Sequence, residues 1–162
     1  MQPRIEIISK KKLVGQRMKM SFEENKTFEL WRSFMPRRYE IKNNLTADLF
    51  SMQIYDDVTY FQSFNSNTIF EKWAAIEVSD FEHIPQGMES YVLAGGKYAV
   101  FQYKGHSHAI FLYIFASWLP DSGYELDNRE HFELLGEKYK YNDPSSEEEI
   151  WIPIKEIFVN FR

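Results

Sequence analysis

The feature that most constrains this chain is a phrase written twice. "SFMPRRYEI" runs from Ser33 to Ile41, and "SWLPDSGYEL" from Ser117 to Leu126. Each has a serine, an aromatic or apolar pair, a proline, polar residues, a tyrosine, a glutamate and an aliphatic residue. Pro36 and Pro120 are 84 positions apart. Self-similarity at this spacing points to a duplicated structural unit and outranks local propensity.

The surrounding elements follow the phrase. Phe28, Trp31, Phe34 and Met35 form one apolar helix face, and Pro36 disfavours helical geometry at Met35. His108–Leu119 reads as the matching helix, with Ser107 as its cap. The first half then reads strand (Leu13–Ser21), helix (Phe28–Met35), strand (Leu49–Tyr55), strand (Phe70–Val78). The second reads strand (Tyr98–Lys104), helix (His108–Leu119), strand (His131–Tyr139), strand (Glu149–Ile154). Trp73 in "EKWAAIE" stands opposite Trp151 in "EIWIPIK". "RIEIIS" and "YVL" add two short strands. Gly95-Gly96 reads as a hairpin turn, Gly136 as a bulge, and Pro153 as an edge or bulge proline.

A βαββ unit buries only one face of its small sheet, so two such units share a core. The fold expected is α+β, with two tandem βαββ repeats. They form an antiparallel sheet with two main helices, pseudo-twofold symmetric, around a central groove. Residues 1–162 form a single domain, with repeat one at about 3–80 and repeat two at about 88–158. A groove between fused halves is a favoured ligand site.

Composition narrows the function. The 162 residues carry a net charge of −5, which argues against direct nucleic-acid binding, since that needs a basic face. There is no cysteine, hence no disulfide framework and no thiolate chemistry. The run "AIFLYIFASWLP" is too short to span a bilayer, and no signal-peptide pattern opens the chain. A soluble cytoplasmic protein without a membrane partner is the expectation. Aromatic residues make up 17% of the chain, enough to fill a core and also to line a pocket.

The phrases "YAVFQYKG", "WLPDSGYEL", "HFELLGEKY" and "EEEIWIPIK" come in that order. Together they resemble the AraC-type effector-binding domain, also called the GyrI-like small-molecule-binding domain. The resemblance covers Lys12 to Lys155. It implies a curved sheet around a ligand groove and recognition of small cationic or aromatic molecules, the multidrug binding of bacterial transcription regulators. It implies no cofactor. Because the chain begins near the first strand of the domain, a stand-alone binding module without a DNA-binding domain is expected. One stand-alone branch of the family restrains DNA gyrase, which makes gyrase a possible protein partner. Another branch is hydrolytic.

Glu133 falls where the family places its pocket glutamate. Alternation alone would equally put it in solvent, opposite Phe132 and Leu134. A carboxylate in an apolar groove is costly unless a cation pairs with it, and aromatic faces would add cation–π attraction. The candidate groove linings are Trp31, Tyr55, Trp73, Phe115, Trp118 and Trp151, each of which could instead be core. Trp31 and Phe115 each precede their proline by five residues. The position answering Glu133 in the first half is Ser51. His106 and His108 make a weak metal pattern without a third ligand, so no metal is expected. The acidic run Glu147–Glu149 reads as solvated surface, with Glu149 at the family's acidic position. Three functions compete: ligand binding; protein interaction of the gyrase-inhibitor type; and hydrolysis with Glu133 as base, ranked last for want of a second catalytic residue.

Overall fold

The computed structural model describes residues 1–158, and among these nine antiparallel strands pack with short helices. The strands are β1 (Arg4–Ile8), β2 (Lys11–Met20), β3 (Leu49–Ile54), β4 (Phe70–Val78), β5 (Glu89–Leu93), β6 (Gly96–Lys104), β7 (Tyr124–Leu126), β8 (His131–Leu135) and β9 (Glu147–Glu156). The helices are α1 (Thr27–Phe34), α2 (Thr59–Gln62) and α3 (Ala109–Tyr113). The sheet runs β1-β6-β9-β8-β3-β4-β2-β5, with β7 added beside β9. The class is α+β, dominated by one large antiparallel sheet.

This order forces the sheet to curl. β1 and β5 lie at its opposite ends, yet two residues join β1 to β2 and two join β5 to β6. The end strands must therefore meet. They share one core: Leu13 and Leu93 from one end cluster with Tyr98 and Val100 from the other, around Phe50, Met52, Trp73, Phe132 and Trp151. Phe132 stacks on Trp151 with ring centroids 5.1 Å apart. Polar bonds lock the seam. The Tyr91 hydroxyl donates to the Glu130 carboxylate at 2.8 Å, and the Tyr98 hydroxyl to the Glu130 carbonyl at 2.9 Å. Arg129 donates to the Gly95 carbonyl at 2.9 Å. Gly95-Gly96 is thus a corner across the seam and not the expected hairpin, because β5 pairs β2 while β6 pairs β1. Gly95 has φ +82°, and a Cβ there would sit 2.6 Å from the Ile8 carbonyl oxygen.

The opposite face carries the helices. Leu30 and Phe34 of α1 pack on Val14, Ala74, Ile76 and Val78. Ile110 of α3 and Ile114 of the π-helical turn that follows it (Ile114–Trp118) pack on Ala99, Phe101, Ile150, Ile152 and Ile154. At the start of α1 the Asn25 side-chain oxygen accepts from the Thr27 N–H at 2.9 Å. At the start of α3 the Ser107 hydroxyl accepts from the Ala109 N–H at 3.1 Å. Neither proline ends its helical run. Pro36 sits at the start of a 3-10 helix (Met35–Glu40), and Pro120 at the start of a last short turn (Leu119–Asp121). In such first-turn positions the missing N–H goes unmissed.

Other expectations shift for local reasons. β8 stops at Leu135, because Gly136 opens a turn whose carbonyl accepts from the Tyr139 N–H at 3.1 Å, so it is no bulge. Pro153 lies inside β9, away from any edge. It falls between the stretch paired with β8 and the stretch paired with β7, where its missing N–H breaks no ladder.

Gly15 of β2 is the tightest point of the sheet. A Cβ there would lie 2.0 Å from the Ala74 carbonyl oxygen and 2.6 Å from the Ala75 Cα. Both obstacles are backbone, which yields only by moving β4. Gly15→Ala is therefore expected to destabilise by about 3 kcal/mol, the upper end for overpacking, read as a lowered urea midpoint. An unchanged midpoint would show that β2 and β4 can separate there.

Candidate functional site

α1 covers β2 and β4, and α3 with its π turn covers β6 and β9. Between them the helix face of the sheet is left to β3 and β8. Its floor is polar. Register places Ser51 opposite Glu133, Gln53 opposite His131, and Gln53 opposite Lys72 across the next strand. Glu148 comes from β9, two residues before Ile150, and so on the same face. Charged residues are almost never this deep without partners.

Glu133 faces Ile150 in the register and Glu148 lies two residues before Ile150, so the two carboxyl groups are neighbours on adjacent strands. Burial and the neighbouring Glu133 carboxylate push the Glu148 carboxyl up to about 9, and Lys72 pulls the other way. Lys72 is buried, which lowers its pKa, while Glu133 and Glu148 raise it. The Gln53 carbonyl accepts from the Lys72 amine, and its amide N–H donates to the His131 carbonyl at 3.3 Å. That orientation of the amide satisfies both neighbours. Glu133 lies 3.5 Å from the same amide.

One end of the groove is an aromatic wall. Phe61 of α2 stacks on Phe115 with centroids 4.6 Å apart, and on His131 at 5.3 Å. Tyr55 meets His131 edge-on at 5.0 Å. Burial pushes the His131 imidazole down to about 3, so it is neutral. The Tyr55 hydroxyl is pushed up by burial, then by Tyr60 and Glu133. Tyr139 stands near the carboxylates, and burial, Glu148 and Glu133 raise its pKa. The arrangement can hold a flat or bulky apolar body against the wall and a positive charge at the carboxylates.

The GyrI-like small molecule binding domain matches residues 1–155. The chain belongs to this family. Among relatives of the GyrI-like domain, it is similar to the transcriptional regulator BrlR of Pseudomonas aeruginosa, 29% identical over 131 residues. That match takes in 78% of this chain but 45% of the regulator, so the chain spans about half the length of the curated relative it matches. The fold is also that of SAV2435 solved bound to tetraphenylphosphonium, with TM-score 0.64, 19% identity, and 96% and 94% of the two chains covered. The EcmrR C-terminal domain gives TM-score 0.64 at 18% identity, covering 96% and 98%. A hydrolase from Listeria innocua gives 0.62 at 10%, covering 95% and 92%. At such identities these structures speak for the fold of the GyrI-like domain alone.

The structure brings together some of the residues singled out in the sequence and separates others. Glu133 lies on the same face of β8 as His131, whose ring lies 5.0 Å from Tyr55 and 6.2 Å from Phe115. Trp31 is half-buried on α1, edge-on to Phe34 with centroids 6.0 Å apart, at the border of the α1 core. Trp73 and Trp151 are not with them. Both belong to the core on the opposite face, where the register puts Trp73 opposite Met52 and Trp151 opposite Phe132. Trp118 packs edge-on to Phe101 at 5.1 Å and lines a separate cavity of about 500 Å³ with Tyr113 and Tyr124. Glu149 points away from the groove and accepts from Arg4 at 2.8 Å, and its neighbour Glu148 is the one that turns inward, contrary to a solvated reading of the run. Among the described residues no cluster of three His, Asp or Glu side chains could hold a metal ion. No helix among them is long and apolar enough to cross a membrane.

Sequence reasoning missed Lys72, Gln53, Glu148, His131 and Phe61. A signal existed for two of them. Alternation back from Ile152 and Ile150 reaches Glu148, and alternation back from Ala74 reaches Lys72.

Proposed function

We propose that this GyrI-like domain binds small cationic aromatic molecules in the groove between α1 and α3. The carboxylates on the floor take the charge, and Tyr55, Phe61 and Phe115 take the apolar body. The observation that carries this reading is the half-buried Glu133–Glu148 pair beside the aromatic wall. Paired carboxyls away from bulk water are costly, and a ligand cation would relieve that cost. A relative of the same fold was solved with tetraphenylphosphonium, a cation of this kind. In this reading the domain acts as a ligand sensor, as in regulators of its family, without itself contacting nucleic acid.

The groove also fits a tandem origin. The runs β2-α1-β3-β4 and β6-α3-β8-β9 are two copies of one βαββ unit in this view, related by a pseudo-twofold axis between β3 and β8. Ser51 answers Glu133 in the repeat, and the two lie directly opposite each other in the register, as such an axis would require. The scaffold is duplicated and the charge is not.

The test is a thermal-shift titration with tetraphenylphosphonium and with neutral triphenylphosphine oxide. A ligand at 100 times its Kd stabilises by about 2.7 kcal/mol. Wild type is expected to respond to the cation far more than to the neutral compound. Glu133→Gln is expected to lose roughly 30-fold or more in affinity, since it removes one partner of a desolvated charge pair. Equal responses to the two compounds, or an unaltered affinity in Glu133→Gln, would overturn the reading.

A further inference from the structure

The second copy of the repeated phrase, Ser117–Leu126, lines a cavity of its own, apart from the groove. The cavity measures about 500 Å³, within the range of small-molecule sites. It opens where the helical cover of the sheet runs out. α3 and its π turn pack on β6 and β9 but stop short of the end strand β1, so Ile5 is left 41% exposed and forms part of one wall. The other wall is Tyr113, Ser117 and Trp118 of the helical run, Asp121 after it, and Tyr124 of β7. Trp118 comes from the π turn, and single turns of this kind recur at functional sites. Gly123, at φ +82°, makes the turn that returns Tyr124 to the cavity. The three aromatic rings are half-buried. The Tyr113 hydroxyl donates to the Met1 carbonyl at 2.9 Å, which fixes that ring. The Lys97 ammonium stands 5.6 Å from the Tyr124 ring centroid, so this ring already meets one cation, itself paired with Glu156 at 2.7 Å. Asp121 is exposed on the rim and belongs to none of the ion pairs among the described residues.

The first copy of the phrase is filled in where the second is open. Counted from the prolines, Phe34 stands where Trp118 does, and Arg37 where Asp121 does. Phe34 is fully buried, and Arg37 is tied to Glu40 at 2.7 Å and to the Gln86 carbonyl at 2.5 Å. In the second copy the ring is half open and the charge is negative. Aromatic faces around a cavity with a carboxylate at its rim select a cation. A quaternary ammonium suits them, because it asks for ring faces and one counter-charge and for no hydrogen bond. We propose that this cavity is a second ligand site, independent of the groove, for a small soluble quaternary ammonium of the choline type. The faces of Tyr113, Trp118 and Tyr124 hold its methyl groups, and Asp121 supplies the counter-charge. Phe115 of the same π turn stacks on Phe61 in the groove, so one turn serves both sites.

The probes are choline and its neutral carbon isostere, which has carbon in place of nitrogen. The indole N–H signals of the 4 tryptophans are followed by NMR, with Trp118→Phe assigning the one that belongs to the cavity. Choline is expected to move the Trp118 signal and leave the others in place. The isostere is expected to bind roughly tenfold more weakly, as is choline to Trp118→Leu. Asp121→Asn is expected to lose about threefold, the scale of an exposed ion pair. Asp121 is exposed, so this variant tests the site without disturbing the core. Glu133→Gln is expected to leave choline affinity unchanged, which separates the cavity from the groove. Sedimentation with phosphatidylcholine vesicles is expected to leave the protein in solution. A Trp118 signal that choline does not move, or that the isostere moves equally, would overturn the proposal. Choline binding lost in Glu133→Gln would overturn it by placing choline in the groove. Sedimentation with the vesicles would overturn the soluble ligand in favour of a lipid headgroup.

Discussion

Trp73→Ala is expected to destabilise the protein by about 3–5 kcal/mol while leaving groove ligand affinity within about threefold of wild type. Trp73 is 2% exposed and belongs to the core shared by both ends of the sheet. Its ring lies 5.4 Å from Tyr91, whose hydroxyl holds the seam through Glu130. Its indole N–H donates to Glu71 at 2.5 Å. Truncation removes the transfer energy of a large ring and opens a cavity where curled strands meet, and such a site collapses poorly. For a chain of this size that loss lowers Tm by roughly 10 °C. Urea unfolding measures the stability, and calorimetry well below the transition measures the affinity. Phe115→Ala is the control. It faces the groove, stacked on Phe61, so its larger effect falls on affinity. A Trp73→Ala protein that is stable but no longer binds ligand would place the tryptophan at the site after all.

That contrast marks where the sequence was legible. Phe70–Val78 reads as a strand and is one, because β-branched and aromatic residues run between clear turns. Its faces do not read so easily. Phe70, Trp73, Ala74, Ala75, Ile76 and Val78 are all buried, so apolar character marks both sides. Only the register tells that Trp73 looks into the core while Lys72 and Ala74 look toward the helices. The curl was hidden for another reason. Gly95-Gly96 carries a local turn signal, but which strands it joins depends on pairings between distant parts of the chain. α2 is four residues long and is held by the stacking of Phe61 on Phe115 and His131, with Asp57 accepting from the Thr59 N–H at 2.7 Å. So short a helix has no periodicity to read. Glu133 was reached through the family resemblance. Lys72 and Glu148 were passed over because charged residues usually belong to the surface, and here each is tolerated only because of the others.

The same buried charges predict how stability depends on pH. His131 is pushed down to about 3 in the folded protein, against about 6.5 for an unfolded histidine. Between those values the unfolded chain binds one more proton, so stability falls on acidification, by about 5 kcal/mol at full weight. Glu148 works the other way. Its folded value of about 9 lies above the ordinary glutamate range. Above about pH 4.5 the unfolded chain has lost that proton and the folded one keeps it, so this group's contribution falls as pH rises toward 9. At full weight that is about 6 kcal/mol, and about half of it once the water reaching a half-buried groove is counted. The two slopes cancel between about pH 4.5 and 6.5. Stability is therefore level there and declines on the acid side. On the alkaline side Lys72 opposes Glu148, since its pKa is lowered by burial and its contribution grows with pH. Glu148→Gln isolates the carboxyl: the variant keeps a donor toward Glu133 but no longer titrates. Its stability relative to wild type is expected to climb steadily from pH 5 to pH 8.5, measured by urea unfolding at each pH. A difference that stays flat over that range would mean that Glu148 ionises freely in the folded protein.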